Sequence, residues 1–201
     1  MNPKEISYPK QLLVEGRDTE VFFLALIRTL SLGDIQLQNF GGKDELADFL
    51  SALVASPGFK TKVNSLGVVR DADNDALSAF RSVCSGLRKS KLTVPKEPAV
   101  IFDGNPRVGV FILPNAESRG MLETICLDSV SNDPAMVCIS EYFRCLEDVG
   151  LVPSNIDKAK VQAFLASRQK PGLRLGQAAS KGYWQFSNQI FDNLKRFLIS
   201  L

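Results

Sequence analysis

The sequence predicts an α/β fold: a mostly parallel sheet of about four to five strands flanked by helices, with a helical C-terminal extension. Three observations carry this. Short apolar runs bounded by Gly or Pro alternate with stretches of helical periodicity through residues 10–90. A β-α-β-α-β-α order favours parallel strands with helices packed on their faces. Beyond Asp133-Pro134 every remaining segment reads as helix.

The elements follow in order. Lys10–Val14 is the first strand. Asp18 stands where a helix cap belongs, and Val21, Phe22, Leu24, Ala25, Ile27 and Leu30 predict a helix from Thr19 to about Leu32, stopped at Gly33. Residues 35–40 alternate apolar and polar side chains, as a strand with one solvated face or an edge strand does, and Gly41-Gly42 breaks it. Residues 43–55 form a helix striped by Leu46, Phe49, Leu50, Leu53 and Val54 and closed by Pro57-Gly58. Residues 65–69 are the third strand. An acidic turn follows it, then a helix from about Asp75 with Leu77, Phe80, Val83, Cys84 and Leu87 inward. Segments 99–102 and 107–113 flank Asp103-Gly104-Asn105-Pro106 as a hairpin. A loop over 114–120 leads to a helix with Leu122, Glu123, Ile125 and Leu127. The final helices are expected at about 135–149, 156–168, 174–181 and 187–200, giving an α/β domain over 1–132 and a helical region over 133–201 packed on it.

Composition narrows the chemistry. The 201 residues are 45% apolar and 23% charged, ordinary for a globular chain long enough to bury a sizeable core. No apolar run has the length of a membrane span, and none behind Met1-Asn2-Pro3-Lys4-Glu5 suits a signal peptide, so a cytoplasmic protein without a membrane partner is expected. The absence of histidine excludes Ser-His-Asp triads, Cys-His dyads and histidine zinc sites. Cys84, Cys126, Cys138 and Cys145 form no C-x-x-C pair; Cys138 and Cys145, seven apart on one helical face, are expected as buried reduced thiols. Residues 151–201 carry eight Lys/Arg against two acids, a net of +6, leaving residues 1–150 at −4. That asymmetry suits a polyanionic substrate such as nucleic acid, or simply a solvated helical surface.

Two acidic turns stand just past hydrophobic strands: Leu12-Leu13-Val14-Glu15-Gly16 and Leu66-Gly67-Val68-Val69-Arg70-Asp71-Ala72-Asp73. In open α/β sheets the ligand crevice lies outside the carboxyl ends of the strands, so Glu15, Asp71 and Asp73 should meet there from 56 residues apart. Two unit charges about 4 Å apart repel by about 4 kcal/mol at an effective dielectric of about 20. Three clustered carboxylates therefore need protons or a cation, and oxygen-only ligands suit Mg²⁺ or Mn²⁺. Asp71-Ala72-Asp73-Asn74-Asp75 is not a calcium loop, since Ala76 and Ser82 fall where Gly and Glu are required. Asp75 is expected to cap the next helix while Asp71 and Asp73 bind. Glu20, one turn into the first helix, is either a further ligand or an acid complementing the helix dipole.

Leu13-Val14-Glu15-Gly16, the strand–helix alternation and Asp71-x-Asp73 resemble the Toprim fold of topoisomerases, primases and the overcoming-lysogenization-defect nucleases. Gly41-Gly42-Lys43, Leu113-Pro114-Asn115, Gly120-Met121-Leu122-Glu123 and Lys181-Gly182-Tyr183-Trp184 further resemble a small stand-alone bacterial Toprim-like family of unassigned function. The resemblance implies Glu15 as general base or metal ligand, Asp71 and Asp73 as Mg²⁺ ligands, Glu123 as an added metal ligand, and Lys160 or Lys181 as a catalytic lysine. No ATPase module, active-site Tyr domain or zinc ribbon accompanies it, and Asn74-Asp75 stands where topoisomerases often carry another Asp. Two readings remain: Mg²⁺- or Mn²⁺-dependent phosphodiester hydrolysis of nuclease type, or a non-catalytic module that binds nucleic acid, a nucleotide or a partner subunit, with a homodimer open to either.

Overall fold

The computed structural model describes residues 2–201. Its centre is a five-stranded sheet of β1 (Lys10–Val14), β2 (Ile35–Asn39), β3 (Ser65–Asp71), β4 (Ile101–Phe102) and β5 (Arg107–Leu113). The strand order is β2-β1-β3-β5-β4, parallel except for β4, which turns back antiparallel on β5 through the expected hairpin. Among the described residues nine α-helices flank it: α1 (Arg17–Thr29), α2 (Leu46–Ala55), α3 (Phe59–Lys62), α4 (Ala76–Lys89), α5 (Leu122–Ser129), α6 (Ala135–Asp148), α7 (Ile156–Ala166), α8 (Leu175–Ser180) and α9 (Asp192–Ser200). None of these helices is long and apolar enough to cross a membrane.

From β1 the chain steps one way to β2, then the other way to β3 and β5. Right-handed crossovers then place α1 on one face and α2 to α4 on the other. The side chains divide accordingly. Leu12, Val14, Val69 and Phe111 join a core with α1, α5, α7, α8 and α9, whereas Leu13, Leu66, Val68 and Val110 join a second core with α2 and α4. The C-terminal region completes the first core rather than sitting beside it. Leu201 and Phe197 press on the sheet so closely that a Cβ on Gly67 would lie 2.6 Å from Leu201, and one on Gly109 2.8 Å from Phe197. Trp184 is buried against Phe164 and donates its indole N–H to the Leu175 carbonyl at 2.9 Å.

Several boundaries differ from expectation. β3 runs two residues beyond Val69, because Ala72 N–H still bonds to the Leu113 carbonyl and keeps the ladder with β5 intact. Asp71 is therefore a strand residue. α1 starts at Arg17 behind Gly16 (φ +79°), so Asp18 lies in the first turn and is not the cap; the helix ends at Thr29. Asp75 does cap α4, accepting from Ser78 N–H at 3.0 Å, but Leu77 faces outward and is 55% exposed. Residues 43–45 form a 3₁₀ turn ahead of α2. Cys84 and Cys126 are buried, but Cys138 and Cys145 are exposed on a helix that buries Ile139 alone. The pattern located the stripe without telling which side met the core.

The polar face of edge strand β2 is not solvated. Gln38 Nε2 donates to Gln11 Oε1, Gln11 Nε2 to Gln36 Oε1, and the segment 4–8 lies over them, with Lys4 N–H on Gln38 Oε1 and Ser7 N–H on Gln36 Oε1. Buried amides need such partners, and the N-terminal backbone supplies them.

Candidate functional site

The reversal of chain direction makes the space between the carboxyl ends of β1 and β3 the topological switch point, where an open α/β sheet forms its crevice. Four loop beginnings meet on this crest: Glu15-Gly16 after β1, Gly41-Gly42-Lys43 after β2, Ala72-Asp73 after β3 and the loop 114–120 after β5. The parallel register aligns Val14 with Val69 and so carries Glu15 to Arg70.

Glu15 is half-buried, and its Oε2 has no hydrogen-bond partner. Burial raises its pKa above the ordinary carboxylate range. Arg70 opposes that shift, Asp73 adds to it, and the backbone and ammonium of Lys43 pull it down again. Arg70 Nε stands 3.8 Å from Glu15 Oε2, too far for a hydrogen bond.

Asp71 holds the centre. Its Oδ1 accepts from Leu122 N–H, the first amide of α5, at 2.9 Å. Burial, reinforced by Glu123, Glu15 and Asp73, nevertheless pushes its pKa up to about 7. Asp73 is exposed and held at φ +53° by a two-bond bridge to Gly120, both bonds 2.9 Å, which ties the acidic turn to the loop before α5. Glu123 lies in the first turn of that helix, and burial raises its pKa while Lys158 draws it down.

Of the four acids expected at the crest, Glu15, Asp73 and Glu123 thus all act on Asp71, and the other three predicted residues stand differently. Glu20 is buried with its two oxygens on Lys4 Nζ (2.6 Å) and Arg17 Nη1 (2.9 Å), pairs that hold its pKa low against burial. It fastens the N-terminal segment to α1, with each oxygen engaged by a cation. Lys160 lies on α7 and Lys181 is the exposed C-cap of α8; neither is among the leading charges on Glu15, Asp71 or Glu123. Lys158 is the cation that reaches Glu123, because α7 packs on α5; Thr124 Oγ1 donates to Asp157 Oδ2 at 2.6 Å across that seam. Sequence reading passed over Lys158 as one surface charge among eight. It also passed over Arg70, whose signal was a lone cation in an apolar strand.

Residues 9–201 match the family described as "Protein of unknown function (DUF3226)". The chain belongs to that family. No curated protein matches this DUF3226 chain. Its fold is similar to the crystal structure of hypothetical protein PH0156 from Pyrococcus horikoshii OT3, with a TM-score of 0.66 and 19% identity over 96% of this chain and 95% of that one. At that identity the likeness is one of fold.

The donor set of this DUF3226 crest fits a hard divalent cation in kind. Its oxygens are all carboxylate, one of them buried without a partner, and Asp71 is held at the edge of ionisation. Among the described residues, no three His, Cys, Asp or Glu side chains are already gathered around one point. A separate groove of about 560 Å³ runs between α1 and the β2 edge, lined by Val21, Leu24, Ile27 and Leu37, with Glu20 and Arg17 at its end. It is mainly apolar and apart from the crest acids.

Proposed function

We propose that the crest is a Toprim-like site for Mg²⁺- or Mn²⁺-dependent phosphodiester hydrolysis, acting as a nuclease on nucleic acid in the cytoplasm. The observation that carries this is the convergence of charge on Asp71, whose pKa burial and the neighbouring Glu123, Glu15 and Asp73 push up to about 7. Asp71, Asp73 and Glu123 would hold the cation, with Glu15 beside them. When bound, Mg²⁺ or Mn²⁺ activates water and offsets charge on phosphoryl oxygens. Glu15, with its raised pKa and unpartnered Oε2, accepts a proton from the attacking water. Lys158, whose charge draws the Glu123 pKa down, would neutralise charge on the transition state, the part for which the resemblance offered Lys160 or Lys181.

The non-catalytic reading draws on one observation, that no three acids encircle a point among the described residues. Incubating the protein with Mg²⁺ or Mn²⁺ and DNA or RNA, single- and double-stranded, beside Asp71→Asn, separates the two. Cleavage by wild type that needs the metal and is lost in Asp71→Asn supports hydrolysis. Binding without cleavage under every condition supports the module, with or without a homodimer by sedimentation.

A further inference from the structure

We propose that Arg70, with Lys43 and the Gly41-Gly42 turn, forms an oxyanion subsite that takes a phosphoryl group of the substrate on the far side of Glu15 from Asp71. This rests on the reading of the crest as a phosphodiester site and names the part of that site which grips the phosphate.

Arg70 is the only charged residue within the buried run of β3, and it is 8% exposed. Its Nε and Nη1 have no hydrogen-bond partner. Buried charges are ordinarily paired or hydrogen-bonded, so a buried guanidinium with two idle nitrogens calls for a missing acceptor. Glu15 is not that acceptor. At 3.8 Å the contact does not close, and Glu15 Oε2 is itself without a partner. Two complementary groups thus face each other across a gap.

The surroundings indicate what the unpartnered nitrogens of Arg70 can take. Successive residues of β3 point to opposite faces, so Arg70 lies toward α2 and α4 while Asp71 lies toward α1 and α5. Glu15 stands between them and feels both sides. The charge of Lys43 reaches the same carboxylate from the β2 loop. The backbone passes there through Gly41 (φ +88°) and Gly42. The Glu45 side chain covers Gly41, whereas a methyl group added at Gly42 would meet nothing within 4 Å, so the approach is open over Gly42. The crest therefore carries the Asp71 carboxylate toward one face of β3 and the Arg70 guanidinium toward the other, with the Lys43 ammonium acting on Glu15 from the β2 loop and the Glu45 carboxylate over Gly41. A phosphate held beside a divalent cation has the same polarity. The planar fork of Arg suits two phosphoryl oxygens, and Lys43 adds a point charge.

Orthophosphate and Mn²⁺ are titrated separately into the full chain by calorimetry, and crystals are soaked in tungstate as an anomalous phosphate mimic. Wild type is expected to bind orthophosphate with tungstate density against Arg70. Arg70→Gln should bind it about tenfold to a hundredfold more weakly, the loss of a charge-assisted hydrogen bond. Lys43 is exposed, so Lys43→Ala leaves the fold intact and should weaken phosphate by roughly threefold to tenfold. Arg70→Lys keeps the charge without the fork and should fall between wild type and Arg70→Gln. Failure of wild type to bind, or equal binding by wild type, Arg70→Gln and Lys43→Ala, overturns the subsite and leaves Arg70 as a structural partner of Glu15. The Mn²⁺ titration separates this from the parent reading. Phosphate binding at Arg70 without Mn²⁺ binding upholds the subsite and removes the metal site, whereas Mn²⁺ binding lost in Asp71→Asn without phosphate binding does the reverse.

Discussion

Asp71, the last residue of β3, accepts a hydrogen bond of 2.9 Å from the backbone N–H of Leu122, 51 residues away. This contact docks the first turn of α5 on the sheet and brings Glu123, the next residue, to the acidic crest. The helix N-terminus favours the ionised form of Asp71, but burial and three neighbouring acids oppose it and prevail.

That balance sets a pH dependence. The Asp71 pKa rises from 3.8 to about 7 on folding, so over this interval the native state keeps a proton the unfolded chain has lost. Its penalty is absent below the unfolded value, grows as pH rises toward 7, and stands at about 4 kcal/mol above it. The raised Glu15 and Glu123 act in the same direction. Asp71→Asn should thus be more stable than wild type in urea at pH 8 without divalent cations, with the gap shrinking toward pH 4. A gap of the opposite sign would refute the raised pKa.

A cation at the crest should reverse the penalty. At free Mn²⁺ about 100 times the dissociation constant, wild type should gain about 2.7 kcal/mol and its thermal midpoint should rise, more at pH 8 than at pH 6. Asp71→Asn and Glu123→Gln should lose the gain. Glu20→Gln should keep it, since Glu20 is occupied by Lys4 and Arg17. A Glu20→Gln variant blind to Mn²⁺ would return Glu20 to the ligand set.

The seam between α1 and α8 tests the packing behind the site. A Cβ on Gly176 would lie 2.4 Å from the Asp18 carbonyl oxygen and 2.8 Å from Val21 Cβ. Gly176→Ala should destabilise by about 1–3 kcal/mol, the cost of overpacking against backbone that cannot move aside. Urea unfolding measures this, and a neutral result would mean that α8 slides on α1.

Thiol labelling distinguishes the cysteines. Cys138 and Cys145 should react quickly with an aromatic disulfide reagent. Cys84 and Cys126, both buried and with thiol pKa values pushed up by burial, should react only on unfolding. Four fast thiols in native buffer would contradict the burial.

Salt dependence addresses the basic C-terminal region. Arg168 already forks onto Asp133, and Lys195 pairs with Asp192, so the exposed Lys158, Lys170 and Lys181 and the half-buried Lys160 are the cations to examine. If they hold a nucleic-acid backbone, removing all four should flatten the log–log salt slope by about 0.7–0.9 for each phosphate no longer neutralised. An unchanged slope would identify them as solvated surface.

Local periodicity was enough to locate every strand of the sheet, most of the helices and the three acids at the carboxyl ends of β1 and β3. Apolar spacing and Gly/Pro punctuation report on neighbouring residues, and the strand-end rule converts order into place. What required the folded chain was every relation set by register or by distant docking. Parallel pairing of β1 with β3 placed Arg70 beside Glu15. The packing of α7 on α5 selected Lys158 over Lys160 and Lys181 as the cation acting on Glu123. The N-terminal segment turned the polar face of β2 inward and claimed Glu20. Periodicity shows that a face exists, but only tertiary contacts determine what covers it, and a carboxylate's neighbours determine whether it fastens the fold or stays free to bind.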